Sequence, residues 1–136
     1  MKATVYDPAT GRILRTVSAG RQQDFNLNIS QDDAWIEGEY DPARYYVKDG
    51  SALQMPDQPD YPCWFDYAAE QWVWDEAASW SDFRADRNRR LAASDWTQAP
   101  DAPVDQAAWA SYRQELRDLP SKTEDPRNPA WPTPPA

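Results

Sequence analysis

The 136-residue chain contains no histidine. That absence removes the side chain that most often serves as general base and metal ligand near neutral pH. A single cysteine, Cys63, excludes an intrachain disulfide and leaves a thiol with no histidine to activate it. One unpaired thiol suits a reducing compartment. Only four glycines occur, at 11, 20, 38 and 50, and none belongs to a phosphate-cradling loop. No apolar run is long enough to span a bilayer, and "MKATVYDPATG" has no apolar stretch of signal-peptide length. The expectation is a soluble protein made in the cytoplasm. Carboxylates are the chemical resource that remains. Pairs such as Asp32/Asp33 and Glu37/Glu39 occur, but in an acidic chain they read as solvated surface rather than as a hydrolytic or metal site. We therefore expect no enzyme: no catalytic residue, no cofactor and no metal.

Aliphatic residues are scarce too, and mean hydropathy is -0.94. Against that stand 8 Trp, 7 Tyr and 3 Phe. A buried aromatic ring removes about 150–250 Å² from water, roughly 4–6 kcal/mol gross at about 25 cal/mol/Å². Aromatics must therefore supply much of the core, and the same side chains suit a protein-binding surface. Net charge is -9, unevenly spread. Residues 1–80 carry 6 basic and 14 acidic groups, whereas residues 81–136 carry 8 and 9. Such acidity argues against nucleic acid and against anionic membrane surfaces as partners. The one basic cluster, Arg87 to Arg90 around Asn88, points several ways on a helix and reads as a solvated or ion-paired face.

Along the chain, "TVYDPATGRILRTVS" predicts a β-hairpin with turn chemistry from Asp7 to Gly11. "DFNLNIS" alternates strictly, which predicts a half-buried strand with Phe25, Leu27 and Ile29 on one face. "WIEGEYDPARYYVKDGSALQMP" predicts short strands around turns at Asp41-Pro42 and Asp49-Gly50. "CWFDYAAEQWVWD" predicts another hairpin, with Trp64/Phe65 facing Trp72/Trp74. Prolines 56, 59 and 62 make a stiff connector between the last two hairpins.

Composition changes near Ser79. "SWSDFRADRNRRLAASDW" predicts a helix with Ser81 as N-cap, Asp82 in its first turn, and Phe83, the stem of Arg87 and Leu91 on one face. "PVDQAAWASYRQELRDLP" predicts a second helix that starts at Pro103, carries an apolar stripe of Val104, Ala108, Tyr112 and Leu116, and ends at Pro120. A connection of about eight residues favours antiparallel packing of the pair. "EDPRNPAWPTPPA" should be extended and polyproline-like. The fold class is thus α+β: a β-rich lobe of antiparallel hairpins over 1–78, an antiparallel helical hairpin over 79–120, and an extended Pro-rich tail over 121–136.

The connection "SDWTQAPDAP" reads as a rigid corner. Ser94 and Asp95 end the first helix. Trp96 can fold back over the seam between the helices or face a partner, and Asp101 can accept hydrogen bonds from amides at the start of the second helix. Tyr112 closes the hairpin from inside. A Trp96 ring buried in this way predicts a loss of about 3–5 kcal/mol for Trp96→Ala.

The ordered set Arg87–Leu91, Ser94–Gln98, Pro100–Pro103, Trp109–Asp118 and Asn128–Pro132 resembles the C-terminal domain of phage tail assembly chaperone proteins, often called tail fibre assembly proteins. The resemblance covers about residues 84–135, and Ala99 stands where the family pattern has a larger apolar residue. It implies a bacteriophage or prophage accessory protein that binds a tail fibre or tail-tip protein and assists its folding or assembly. Such a protein would act in the host cytoplasm. A second possibility is a permanent virion component retained in the tail, and a third is a carbohydrate-binding module using the Trp64–Trp74 hairpin. Aromatic and arginine side chains are the usual anchors of interfaces, so the partner contacts expected on this basis are Trp109, Arg113, Arg117 and Trp131. Trp131 stands out because nothing near it in sequence can bury it.

Overall fold

Two turns with obligatory backbone geometry set the first part of the chain. Asp7 accepts hydrogen bonds from the amides of Ala9 and Gly11, and Gly11 takes a φ of +84°. That closes β1 (Lys2–Tyr6) on β2 (Ile13–Ser18). Asp49 and Gly50 both have positive φ, 51° and 74°, as a type I′ turn requires. They close β4 (Tyr45–Lys48) on β5 (Ser51–Gln54). A computed structural model describes all 136 residues. It divides into a unit over Met1–Val73 and a second over Trp74–Ala136.

In the first unit, β1 is the centre of a three-stranded antiparallel sheet, flanked by β2 and by β3 (Ala34–Glu37). Pleating sends Ala3 and Val5 to one face, where they pack with Val17 and Phe25. Thr4 points the other way and is also fully buried. Its hydroxyl donates to the Gly38 carbonyl at 2.9 Å and accepts from the Tyr40 amide. Phe25 sits on a short helix, α1 (Gln22–Asn28), and not on a strand. This corrects the expectation for "DFNLNIS". Both edges of β1 are already paired, so a strand there would have no central place. Phe25 and Ile29, four apart, are the residues that meet the core, while Leu27 is 85% exposed. The alternating pattern thus concealed an i, i+4 pair. Arg15 on β2 donates to the Asn28 carbonyl and pairs with Asp33, tying down the end of this short helix.

A second cluster, Tyr46, Met55 and Phe65 with Tyr67 and Trp72, joins the β4–β5 hairpin to the pair β6 (Cys63–Asp66) and β7 (Gln71–Trp74). Phe65 meets Trp72 edge-on at 5.2 Å, the cross-strand aromatic contact that the sequence predicts. Glu70, at φ 57°, accepts from the Tyr46 hydroxyl and from Lys48, both at 2.9 Å. Those two donors, Lys48 foremost, hold Glu70 below its ordinary titration range, and Glu70 raises Lys48 in return.

The second unit begins earlier than expected. Asp75, not Ser81, caps α2 (Glu76–Ala93) by accepting the Ala78 amide at 3.0 Å. Trp74 donates its indole N–H to the buried hydroxyl of Ser79, one turn inside the helix, so both Ser79 and Ser81 are interior positions of α2. A single 3₁₀ turn over Asp95–Gln98 follows, then α3 (Gln106–Lys122), which packs on α2. Asp105 caps α3 through the Ala108 amide, leaving Pro103 in the loop. Pro120 lies inside the final turn rather than ending it. Ser121 and Thr123 hydroxyls donate to the carbonyls of Asp118 and Leu119, and buried Leu119 keeps that turn on the core. No helix is long and apolar enough to cross a membrane.

Gly11 also receives the β4 hairpin: its carbonyl accepts the Val47 amide at 2.8 Å. A Cβ there would lie 2.1 Å from the Val47 carbonyl oxygen. Gly11→Ala should therefore lower the stability of the first unit by about 2–3 kcal/mol. Gly20→Ala, where no atom lies within 4 Å, should change it by less than about 0.5 kcal/mol. Thermal unfolding of the two variants checks this.

Candidate functional site

The last four carbonyls of a helix have no intrahelical donor and carry the negative end of its dipole. At the end of α2 that demand is met twice over, locally by Ser94, whose N–H and hydroxyl reach the Arg90, Leu91 and Ala92 carbonyls, and across the corner from α3. Arg113 donates through Nη1 to the Leu91 carbonyl at 2.6 Å and to Ser94 Oγ at 2.7 Å, and through Nη2 to Asp95 Oδ1 at 2.7 Å. Arg113 is only 9% exposed, although the Asp95 side chain is 67% exposed. A buried guanidinium is tolerable because three acceptors surround it. Thr97, fully buried, completes the corner by donating its hydroxyl to the Ser94 carbonyl. Gln106 and Gln98 lace the rest of the connection to the start of α3, with Gln106 donating to the Ala99 carbonyl.

Arg113, expected at a partner surface, is thereby the internal brace. Trp96, whose side the sequence leaves open between the seam and a partner, is 54% exposed. The arrangement has a simple cause. Arg113 lies beside Tyr112 and three residues before Leu116, on the buried face that Leu119 continues. The fork of an arginine can reach several acceptors at once, whereas an indole has one donor. The position of Arg113 among Tyr112, Leu116 and Leu119 was readable at helical spacing. The exposed side chain of Trp96 was not.

The remaining expected residues separate in the same way. Tyr112 is 7% exposed and meets Trp109 edge-on at 5.5 Å. Trp109 is half-buried, and its ring lies 6.5 Å from Trp96. The three rings thus step from core to solvent. Asp95 serves the corner by accepting from Arg113. Asp101 is exposed in the loop and does not cap α3, since Asp105 holds that position. Arg117 is exposed, with a long contact of 3.5 Å to Gln114.

Trp131 is engaged within its own unit, which removes the reason for expecting it to need a partner. Its ring lies 5.3 Å from Phe83 at 31°, and the Arg90 guanidinium sits 4.0 Å over it. Asp125 and Arg127 form a two-pronged ion pair while Arg127 stacks on Trp74 at 3.8 Å. Arg127 pulls the Asp125 carboxyl below its usual range. The Pro-rich tail is therefore an internal strap pinned at two aromatic points. The basic cluster is put to use in the same way: Arg89 and Arg90 pair with Asp86. On the β6–β7 hairpin, Trp72 packs on Phe65 and donates to the Pro56 carbonyl. Trp74 is held by Ser79, leaving Trp64, 51% exposed, as the free ring of that trio. No three Asp, Glu or Cys side chains are grouped to hold a metal ion.

Residues 80–136 match a family model described as phage tail assembly chaperone protein. The match covers less than half of the chain and falls wholly within the second unit. It takes in most of α2, the Arg113 corner, α3 and the strap, and it agrees with the resemblance carried by residues 84–135. Comparisons with curated proteins and with solved structures gave no match. The second unit is thus similar to a domain of phage tail assembly.

Arg113→Ala should lower stability by about 2–4 kcal/mol, because it removes three charge-assisted hydrogen bonds that join α3 to the end of α2 and empties the buried space the guanidinium fills. Arg113→Lys should recover only part of that, since an ammonium cannot reproduce the fork. Trp96→Ala, by contrast, should cost less than about 1 kcal/mol at its exposed position, revising the larger loss expected for a buried ring. Chemical denaturation of the three variants ranks them.

Proposed function

We propose that the protein binds a tail fibre or tail-tip protein of a bacteriophage or prophage and assists its folding or assembly, as a non-catalytic accessory in the host cytoplasm. The observation that carries this is the family match over residues 80–136. The surface chemistry supports it. Trp96 is presented to solvent by a corner whose rigidity comes from elsewhere, from Arg113 and Thr97. A rigid aromatic side chain that contributes little to its own fold is what an interface anchor requires. Trp109 beside it widens the apolar platform, and Arg117 adds an exposed cation on the same helix.

Retention in the virion as a structural component has less support. The Pro-rich tail, the segment that could dock on another protein, is occupied within its own unit by Phe83, Arg90 and Trp74. Sugar binding is reduced to one exposed ring, Trp64, on its hairpin.

Co-expression of this chain with the adjacent tail fibre or tail-tip gene should raise the soluble, assembled yield of that product severalfold. An unchanged yield with and without the chain contradicts the assembly role.

A further inference from the structure

The second unit contains five tryptophans, and it treats three of them alike. Arg84 lies 5.5 Å from the centre of the Trp80 ring, Arg90 4.0 Å from that of Trp131, and Arg127 3.8 Å from that of Trp74. A guanidinium over an indole face is favourable because the weakly hydrated cation meets the negative face of the ring. Trp96 and Trp109 are the exceptions: each contacts another ring, and no arginine covers either. Nor can a neighbour in sequence cover them. Residues 94–112 contain three carboxylates, Asp95, Asp101 and Asp105, and not one Lys or Arg. Arg113, the next cation along, is turned inward and consumed by Leu91, Ser94 and Asp95. The corner therefore presents a pair of indoles, 6.5 Å apart and inclined at 50°, on a stretch of chain whose charged side chains are all carboxylates.

On the premise of the tail-assembly role proposed above, we infer that the Trp96–Trp109 pair is the seat for an arginine-bearing segment of the partner protein, whose guanidinium stacks on the exposed indole while Asp101 and Asp105 supply the opposing charge. Charge complementarity selects a cation, and ring geometry selects arginine over lysine, since a planar guanidinium can lie flat on the indole. The association should weaken as salt rises, because the carboxylates are at the surface.

The 136-residue chain is titrated with a synthetic Arg-Gly repeat peptide and with matched Lys-Gly and Glu-Gly peptides, followed by tryptophan fluorescence and calorimetry. The Arg-Gly peptide should bind saturably, the Lys-Gly peptide several-fold more weakly, and the Glu-Gly peptide not at all. Trp96→Ala should lose about tenfold in affinity for the Arg-Gly peptide while remaining folded at the temperature of the titration, and Asp101→Asn a few-fold at low salt. Absence of saturable Arg-Gly binding, or equal binding by Trp96→Ala, overturns the inference. Co-expression with the tail gene separates this from the assembly role itself. If Trp96→Ala raises the yield of the tail product as well as the wild type does, the seat is wrong while the role stands. If the wild type gives no rise, the role fails whatever the peptides do.

Discussion

One buried guanidinium organises the second unit. Arg113 joins the negative end of α2 to the turn that follows it, and it does so from the middle of α3. Helix termini need donors that the helix cannot supply. Ser94 meets part of that need locally, and a side chain from the next helix adds to it at Leu91 and at Ser94 itself, so the cap and the packing of α2 with α3 become one network. Everything on the corner inherits this arrangement. Thr97 is sealed beneath it, Tyr112 packs alongside, and Trp96 is released from structural duty.

A second principle runs through the same unit. With few aliphatic side chains, its surfaces are closed by aromatic rings and arginines laid on them. The strap from Asp125 to Pro132 holds no regular structure, yet it is placed by Trp131 on Phe83 and Arg90 and by Arg127 on Trp74. Proline keeps the strap extended and lowers the entropy lost on docking. A thin, polar chain can thus form a defined fold, and its one uncovered indole pair becomes informative because the others are covered.

What the sequence shows of this depends on whether the controlling interaction is local. The hairpins at Asp49-Gly50 and at Trp64 to Trp74 follow from turn residues and alternation, and both form. Helix α1 does not follow, because Phe25 and Ile29 satisfy a helical pair and a strand face equally well. The two long helices were legible, but their ends were not. Asp75 and Asp105 are ordinary caps lying beside equally plausible candidates, Ser81 and Asp101. The rigid corner and the resemblance to phage tail assembly chaperones are legible in the sequence, and the match over residues 80–136 agrees with the latter, whereas the burial of Arg113 is not and the side that Trp96 faces is left open. Hydrophobicity suggests which residues should be inside. It gives no weight to three acceptors that a buried arginine alone can reach together.

The central claim is that the corner is built inside out, with its cation sealed and its indole held ready for a partner. Fluorine NMR of the protein labelled with 5-fluorotryptophan, with the Trp96 resonance assigned from Trp96→Phe, tests this in a single measurement of solvent exposure. The account predicts that Trp96 is solvent-exposed in the free protein and becomes shielded when the cognate tail protein is added. A Trp96 resonance already shielded in the free protein, or still fully exposed in the complex, would contradict it.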